Sequence, residues 1–279
     1  KILTMKLNSL TLGLIATIAL SASAVAQDDD NQAKYDKKIT EAWINSGGWE
    51  LDYDKALAAA TAEGKYVLAY FSRSYSPWPP CKSLENGLFS SDDFKEWNNS
   101  VIPFVNFTAR VEGHPSDALS RRYEIRGFPT LMILDASGKK VATPDGRDIA
   151  SFSATIASLA ALDSLRAKKD AGEVCLEASI LLARLQLGSI DFKQAAKQRK
   201  ALVKPKKFES SQWEADLVEI DALLFNLKLA DMFQNAGRDP DKQAELGEKL
   251  YVMAKNGRFA SGPMTYQYWS QVMLVAKKK

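Results

Sequence analysis

The sequence predicts an α/β domain, built on a mixed sheet flanked by helices, followed by an all-α helical C-terminal domain. Over residues 39–166, short apolar runs of strand-forming residues alternate with segments of helical periodicity. A hairpin and a helix close this part, which indicates a mixed sheet. From residue 171 onwards no convincing strand pattern occurs. We therefore expect a flexible, polar lead-in within 27–49, an α/β domain at 50–168 and a helical domain at 171–279.

Each element of the α/β domain is predicted from a local signal. Gly64 is a typical helix C-cap, and Ser91 can cap a short helix. A proline-rich loop follows the first buried strand, and a hairpin turn occupies 136–138. In chain order we expect a helix at 52–63, a strand at 66–71, a loop at 72–80, a helix at 81–88, a short helix after Ser91, a strand at 101–111, a helix at 116–123, strands at 130–134 and 140–142, and a helix at 149–165.

The C-terminal domain carries five predicted helices, at 176–187, 191–202, 213–235, 241–256 and 263–276. The first pair resembles a helical hairpin of the tetratricopeptide type. However, no period of about 34 residues recurs clearly. A plain helical bundle is therefore the favoured interpretation, and its surface is a possible site for a protein partner.

Residues 1–26 have the pattern of a secretory signal peptide. Lys6 follows Met5, the expected start, and an apolar stretch over 10–20 leads to Ala24-Val25-Ala26, a small-residue cleavage site. The apolar stretch is short for a retained membrane helix, and an uncleaved anchor is the alternative. We expect an exported protein without a further membrane span. It would reside in the periplasm or the extracellular medium, where disulfide chemistry is possible.

Composition excludes several classes of function. Of the 279 residues, 46% are hydrophobic and 25% are charged, as in a soluble globular protein. The 37 basic and 34 acidic residues leave a net charge of +3, without the clustered basic face that nucleic acid requires. Two cysteines, Cys81 and Cys175, are too few for a disulfide-dense scaffold. With His114 the single histidine, taken as a solvated loop residue, no metal site and no cofactor are expected.

A cysteine at the start of a helix carries the chemical signal. Cys81 follows a buried strand and a proline-rich loop, and it falls in the first turn of the next helix. The helix dipole favours a thiolate at this position, so we expect a lowered pKa. Further along the chain, Phe128-Pro129 lies just before a strand, and a proline that enters a strand is often cis.

The order and spacing of these features resemble the thioredoxin-like superfamily over residues 50–166. The run Cys81-Lys82 with Glu85 is similar to the exported thioredoxin-like subgroup. This resemblance implies thiol–disulfide exchange on protein or peptide substrates by a Cys-x-x-Cys pair, in which the first cysteine attacks and the second resolves. It implies that Cys81 resolves and that Pro129 is the cis-proline beside the substrate. Neighbouring candidates for substrate binding are Phe128, Pro79 and Pro80.

The sequence departs from the family's pattern at residue 78. Trp78 stands at the position of the attacking cysteine, and an indole is not a nucleophile toward a disulfide. The family's buried carboxylate on the preceding strand is also missing, with Tyr70 near that place. Glu85 is a candidate proton acceptor, although a solvated helix position is the favoured interpretation.

Three interpretations of Trp78 follow. The tryptophan is genuine, and the domain binds without exchange; Cys81 works alone or with Cys175; or residue 78 is selenocysteine in the native protein, because UGA is read as tryptophan in some genetic codes. For Cys175 a small packed hydrophobe is the favoured interpretation. The leading function is an exported thiol–disulfide oxidoreductase, and the alternative is a non-catalytic protein- or peptide-binding module.

Overall fold

The computed structural model describes residues 26–203 and 211–278. The chain divides into two compact units, with the division between Ser153 and Ala154. In the first unit the elements are α1 (26–38), α2 (Ala42–Ser46), α3 (Tyr53–Glu63), β1 (Val67–Arg73), α4 (Pro79–Asn86), α5 (Asp92–Trp97), β2 (Ile102–Thr108), α6 (Pro115–Arg122), β3 (Thr130–Leu134), β4 (Lys140–Ala142) and the start of α7 (Ile149–Asp170), with 3-10 turns at Leu88–Ser90 and Asn98–Ser100.

A four-stranded mixed sheet in the order β2-β1-β3-β4 forms the centre of the first unit. Strand β1 runs parallel to β2 and antiparallel to β3, and β3 pairs antiparallel with β4. Tyr70 on β1 lies opposite Val105 of β2 and Leu131 of β3. The predicted mixed sheet flanked by helices is therefore confirmed, and β1 is a central strand.

Both faces of β1 are buried, which explains its nearly continuous apolar sequence. Val67, Ala69 and Phe71 pack into one core together with α3. Because side chains alternate along a strand, Tyr70 and Ser72 point to the opposite face. That face carries an aromatic cluster made of Trp43, Trp49, Tyr70, Phe89 and Phe94. The alternation thus places two hydroxyl groups side by side beneath α4.

Local capping signals set the helix ends, as the sequence predicts. The Asp52 side chain accepts hydrogen bonds from the first turn of α3, and Gly64 ends that helix with a φ of 63°. The Ser91 hydroxyl accepts a hydrogen bond from the Phe94 amide. Strands β3 and β4 have the predicted bounds, whereas α4 begins two residues early, at Pro79. Proline is well tolerated at the first positions of a helix, so the predicted loop is shorter.

The predicted flexible lead-in is wrong, because its residues form α1 and α2. Asn31 is buried, and its side-chain amide donates to the carbonyl of Arg110 at 2.9 Å. Lys38 is also buried and pairs with Glu85. Trp43, at the centre of α2, joins the aromatic cluster. Polar residues that suggested a solvated segment are instead partners of groups in the α/β core.

The second unit is helical over its described residues, as predicted. It comprises the rest of α7 with α8 (Glu177–Gln186), α9 (Phe192–Ala201), α10 (Ser211–Ala236), α11 (Pro240–Lys255), a 3-10 turn at Gly262–Met264 and α12 (Thr265–Ala276). One core lies between α8, α9 and the first half of α10, with Cys175 packed at its edge. A second core joins the end of α10 to α11 and α12. Among the described helices, none has the length and apolarity needed to cross a membrane.

Candidate active site

Cys81 lies in the first turn of α4, beneath residue 78. Trp78 is the N-cap residue of this helix, and its carbonyl accepts the Cys81 amide at 3.0 Å. Pro79 and Pro80 occupy the first helical positions and are exposed, while the Cys81 side chain is buried. Residue 78 therefore occupies the surface position of the pair, and Cys81 the protected one.

The pKa of the Cys81 thiol is raised, contrary to the expectation from the helix dipole. Burial is the largest cause, and the negative charge of Glu85 raises the pKa further. The hydroxyls of Ser72 and Tyr70 beside the thiol act to lower its pKa, but they do not outweigh burial. Cys81 is therefore a neutral thiol at neutral pH and must lose its proton before it can attack.

Glu85 is buried next to this thiol, so the interpretation of a solvated helix position is wrong. Its side chain is 2% exposed, one helical turn after Cys81. One carboxylate oxygen accepts hydrogen bonds from the Tyr70 hydroxyl at 3.0 Å and the Ser72 hydroxyl at 3.1 Å. The same two hydroxyls lie beside the Cys81 thiol, and because each donates its own proton to Glu85, each can accept a hydrogen bond from that thiol. A buried carboxylate is therefore present, supplied by α4 rather than by the preceding strand.

Lys38 neutralises the buried carboxylate and links it to the surface. Its ammonium donates to Glu85 at 2.6 Å and to Glu41 at 2.6 Å. Glu41 also accepts from the indole of Trp43 at 2.8 Å, and it is partly exposed. A continuous polar path thus runs from Cys81 through Tyr70 or Ser72 to Glu85, Lys38 and Glu41. The burial of Glu85 is compensated because both of its oxygens have partners.

The predicted substrate-binding residues meet on the other side of Trp78. The Phe128–Pro129 peptide bond is cis, which confirms the prediction from its place before β3. The exposed indole of Trp78 donates through Nε1 to the Phe128 carbonyl at 2.9 Å. Pro129 is buried, and Phe128 is partly exposed. Trp78 and the residues at the cis-proline therefore form one contiguous surface.

His114 and Cys175 are the remaining sequence candidates, and His114 does not belong to this surface. His114 caps α6, its Nδ1 lies 2.7 Å from the Ser116 hydroxyl, and its ring packs against Tyr35; it is not a solvated loop residue. Cys175 belongs to the second unit, and both cysteines are free thiols. No group of potential metal ligands occurs among the described residues.

Sequence reasoning missed Lys38 and Ser72 as members of the site. Ser72 was recognisable, because it follows Tyr70 by two residues on a strand and must share its face. Lys38 was not, because it lies 47 residues before its partner Glu85 and carries no local signal. Arg73 was likewise unforeseen; its guanidinium lies 4.7 Å from the ring of Trp78.

The buried thiol predicts a difference in reactivity between the two cysteines. With iodoacetamide at pH 7–8, we expect Cys175 to be alkylated first and Cys81 slowly, because its neutral thiol is shielded and only the thiolate reacts. The rate at Cys81 should rise with pH beyond the ordinary titration range of a cysteine. Peptide mass spectrometry of the folded protein measures alkylation at both cysteines, and urea-unfolded protein is the control. Equal rates in the folded protein would contradict the burial of Cys81.

Comparison with known proteins agrees with the fold. Residues 53–154 match a family model described as a thioredoxin-like domain. Nucleoredoxin from Bos taurus is 31% identical over 115 residues, which cover 33% of this chain and 25% of nucleoredoxin. The chain thus matches about a quarter of the length of that relative.

Two solved structures are also similar to this chain. A DsbH oxidoreductase is 23% identical with a TM-score of 0.32, and the match covers 38% of this chain and 78% of that one. A thioredoxin from Thermus thermophilus is 22% identical with a TM-score of 0.33, covering 40% and 88%. The family match, the mixed sheet and the contact of Trp78 at the start of the Cys81 helix with the cis-proline loop together identify residues 53–154 as a thioredoxin-like domain.

Proposed function

We propose that this protein is an exported thiol–disulfide oxidoreductase that acts on protein disulfides, with residue 78 as the attacking group and Cys81 as the resolving thiol. The observation that carries the proposal is the buried carboxylate of Glu85, joined to Cys81 through the hydroxyls of Tyr70 and Ser72. Burying a charge is unfavourable unless the charge is paired, and Glu85 is buried with Lys38 as its partner. A proton acceptor beside a buried thiol serves exchange, whereas a module that only binds peptides does not need it.

The exchange balances in two steps. A selenolate or thiolate at residue 78 attacks the substrate disulfide, forms a mixed bond and releases one substrate thiolate. Cys81 then loses its proton through Ser72 or Tyr70 to Glu85, attacks residue 78, closes the 78–81 bond and releases the second substrate thiol. Two electrons pass to the substrate, and an external dithiol restores the reduced site. This cycle requires selenocysteine or cysteine at residue 78, and we propose that the native protein carries selenocysteine there, encoded by UGA.

The identity of residue 78 in the native protein tests this proposal directly. The codon is read from the genome, and the peptide spanning residue 78 is examined by mass spectrometry after alkylation. We expect an alkylated selenocysteine with the isotope pattern of selenium. An alkylated cysteine would keep the two-residue mechanism but contradict the selenocysteine. An unmodified tryptophan encoded by UGG would rule out the mechanism in which residues 78 and 81 exchange disulfides together.

Export is the second part of the proposal. It rests on the sequence of residues 1–26, which has a positive charge, an apolar stretch and small residues at the expected cleavage site. Of these positions, only residue 26 is among the described residues. N-terminal sequencing of protein from the cell envelope or medium is expected to begin at Gln27. Protein that stays in the cytoplasm with residues 5–26 intact would contradict export.

One observation favours a non-catalytic peptide-binding module as a second candidate. The indole of Trp78 is 42% exposed and held toward the cis-proline loop by its hydrogen bond to Phe128, so it presents a fixed aromatic surface. An extended peptide can pack on such a surface, because aromatic side chains dominate binding interfaces.

The binding candidate predicts that Trp78→Ala weakens peptide affinity. For carboxymethylated insulin B chain, an extended peptide without disulfides, we expect a loss of about thirtyfold, typical of an aromatic anchor worth about 2 kcal/mol. Cys81→Ser should leave the affinity unchanged. Isothermal titration measures both variants. An affinity that falls with Cys81→Ser but not with Trp78→Ala would count against this candidate.

A further inference from the structure

A groove rich in arginine extends from residue 78 along the loop before the cis-proline. It has a volume of about 970 Å³, within the size range of ligand sites. Four arginines line it: Arg73, Arg110, Arg121 and Arg126. Two carboxylates, Asp117 and Glu124, also line it, so its side chains carry a net charge of +2. Since the whole chain is nearly neutral for its size, this charge is a local feature.

Tyr75 holds two of these guanidinium groups in place. The Arg110 guanidinium lies 3.9 Å from the centre of its ring, and that of Arg73 lies 5.3 Å away. Stacking on an aromatic ring orients a guanidinium while leaving its N–H edge available for a carboxylate. The backbone at Arg110 is fixed as well, because its carbonyl accepts the buried Asn31 side chain. The groove therefore presents preorganised donors.

The arginines have no carboxylate partners of their own. Within residues 26–203 and 211–278, none of the four forms an ion pair, and the buried Nε of Arg73 lacks a hydrogen-bond partner. Asp117 is already engaged, since its oxygens accept the amides of Ala109, Arg110 and Val111. The positive charge is thus available to a ligand.

We propose that this groove selects protein substrates in which aspartate or glutamate residues flank the cysteine to be exchanged. The inference rests on the proposed function, because it assigns the substrate class of the same site. A nucleic acid fits the groove less well than an acidic peptide, because a phosphate chain requires a larger basic surface. Apart from the four arginines, no arginine or lysine lines the groove. A peptide that passes the cis-proline would place its acidic side chains against Arg73, Arg110 and Arg121.

Two labelled, disulfide-bonded peptides test the inference with the full chain. One has glutamates around its cysteines, and the other has glutamines at the same positions. By fluorescence anisotropy, we expect the glutamate peptide to bind about tenfold more tightly at low salt, and added sodium chloride to reduce the difference. Equal affinities would overturn the proposal. A single-stranded oligonucleotide of matched charge that binds as tightly as the glutamate peptide would also overturn it.

Arginine variants test whether the groove causes the preference for the glutamate peptide. The double variant Arg110→Gln/Arg121→Gln is expected to remove most of the preference for glutamate. The matched control is Arg122→Gln, because Arg122 follows Arg121 on α6 but lies against the rings of Tyr53 and Tyr123, outside the groove. A preference that survives the double variant, or that Arg122→Gln removes equally, would overturn the assignment.

These outcomes are separable from the proposed function. Anisotropy requires no turnover, so glutamate selectivity in a folded Trp78→Cys protein that shows no exchange activity would contradict the oxidoreductase alone. Conversely, exchange by Trp78→Cys with equal kcat/KM for the two peptides would contradict the arginine groove alone.

Discussion

Trp78→Cys is expected to create disulfide-reductase activity in a chain that otherwise has none. Residues 78 and 81 are three apart in the first turn of α4, and the Cys81 amide donates to the carbonyl of residue 78 at 3.0 Å. Residues three apart at the start of a helix are close enough for a disulfide, whose Cα atoms lie about 4.4–6.8 Å apart, once the two side chains turn toward each other. The new thiol would lie at the helix N-terminus, where a thiolate is favoured. The polar path beneath Cys81 is already in place.

Insulin reduction with dithiothreitol as the electron donor measures this gain. We expect turnover for Trp78→Cys and none above the donor alone for the unmodified chain. Trp78→Ser is the matched control, since it removes the indole without adding a nucleophile. The double variant Trp78→Cys/Cys81→Ser should accumulate a mixed disulfide with the substrate and should not turn over. If a folded Trp78→Cys protein is no faster than Trp78→Ser, residues 78 and 81 do not form an exchange centre.

Lys38→Met is expected to lower the free energy of unfolding by about 3–5 kcal/mol, because removing one partner of a buried ion pair leaves the other charge uncompensated. Lys38 and Glu85 are 10% and 2% exposed and lie 2.6 Å apart. Methionine replaces the four-atom aliphatic stem of the lysine side chain, so lost packing contributes little. The hydrogen bonds from Tyr70 and Ser72 to Glu85 remain, but they carry no full positive charge.

Helix α1, which carries Lys38, also supplies the control. Lys34 pairs with Asp30 on the exposed side of α1, so Lys34→Met should change stability by less than about 1 kcal/mol. Urea denaturation measures the loss, and hydrogen exchange of the β1 amides assigns it to the first unit. Lys38→Met/Glu85→Leu should recover part of the stability, since an apolar pair replaces the ionic one. Equal effects of Lys38→Met and Lys34→Met would show that the buried ion pair contributes no more to stability than the exposed one.

The variants Trp78→Cys and Lys38→Met address different properties of one site. Trp78→Cys tests whether the surface position completes the exchange chemistry, while Lys38→Met tests whether the buried charges beneath it are balanced by α1. If the chain gains turnover with Trp78→Cys but tolerates Lys38→Met, the oxidoreductase proposal stands and the view that Lys38 balances the charge of Glu85 is contradicted.

Elements whose signals lie within a few residues were predictable from the sequence. The caps of α3 and α5, the bounds of β3 and β4, the mixed sheet and the cis peptide bond at Pro129 all depend on neighbouring residues or on a familiar order of elements. The sequence also shows without a structure that residue 78 is the point at which the exchange chemistry fails. That statement depends on the side chain alone.

The surroundings of Cys81 depend on tertiary packing. From the sequence, the helix dipole predicted a lowered pKa, but burial reverses its direction, and burial depends on how distant segments cover α4. Glu85 pairs with Lys38 across 47 residues, and the groove combines arginines from β1, from the loop after β2 and from α6. Pairings of this kind carry no local signal, because the chain brings the partners together only after the sheet and its helices have packed. The fold and the position of the thiol follow from the sequence pattern, while packing sets the protonation of the thiol, its proton acceptor and the charge of the adjoining groove.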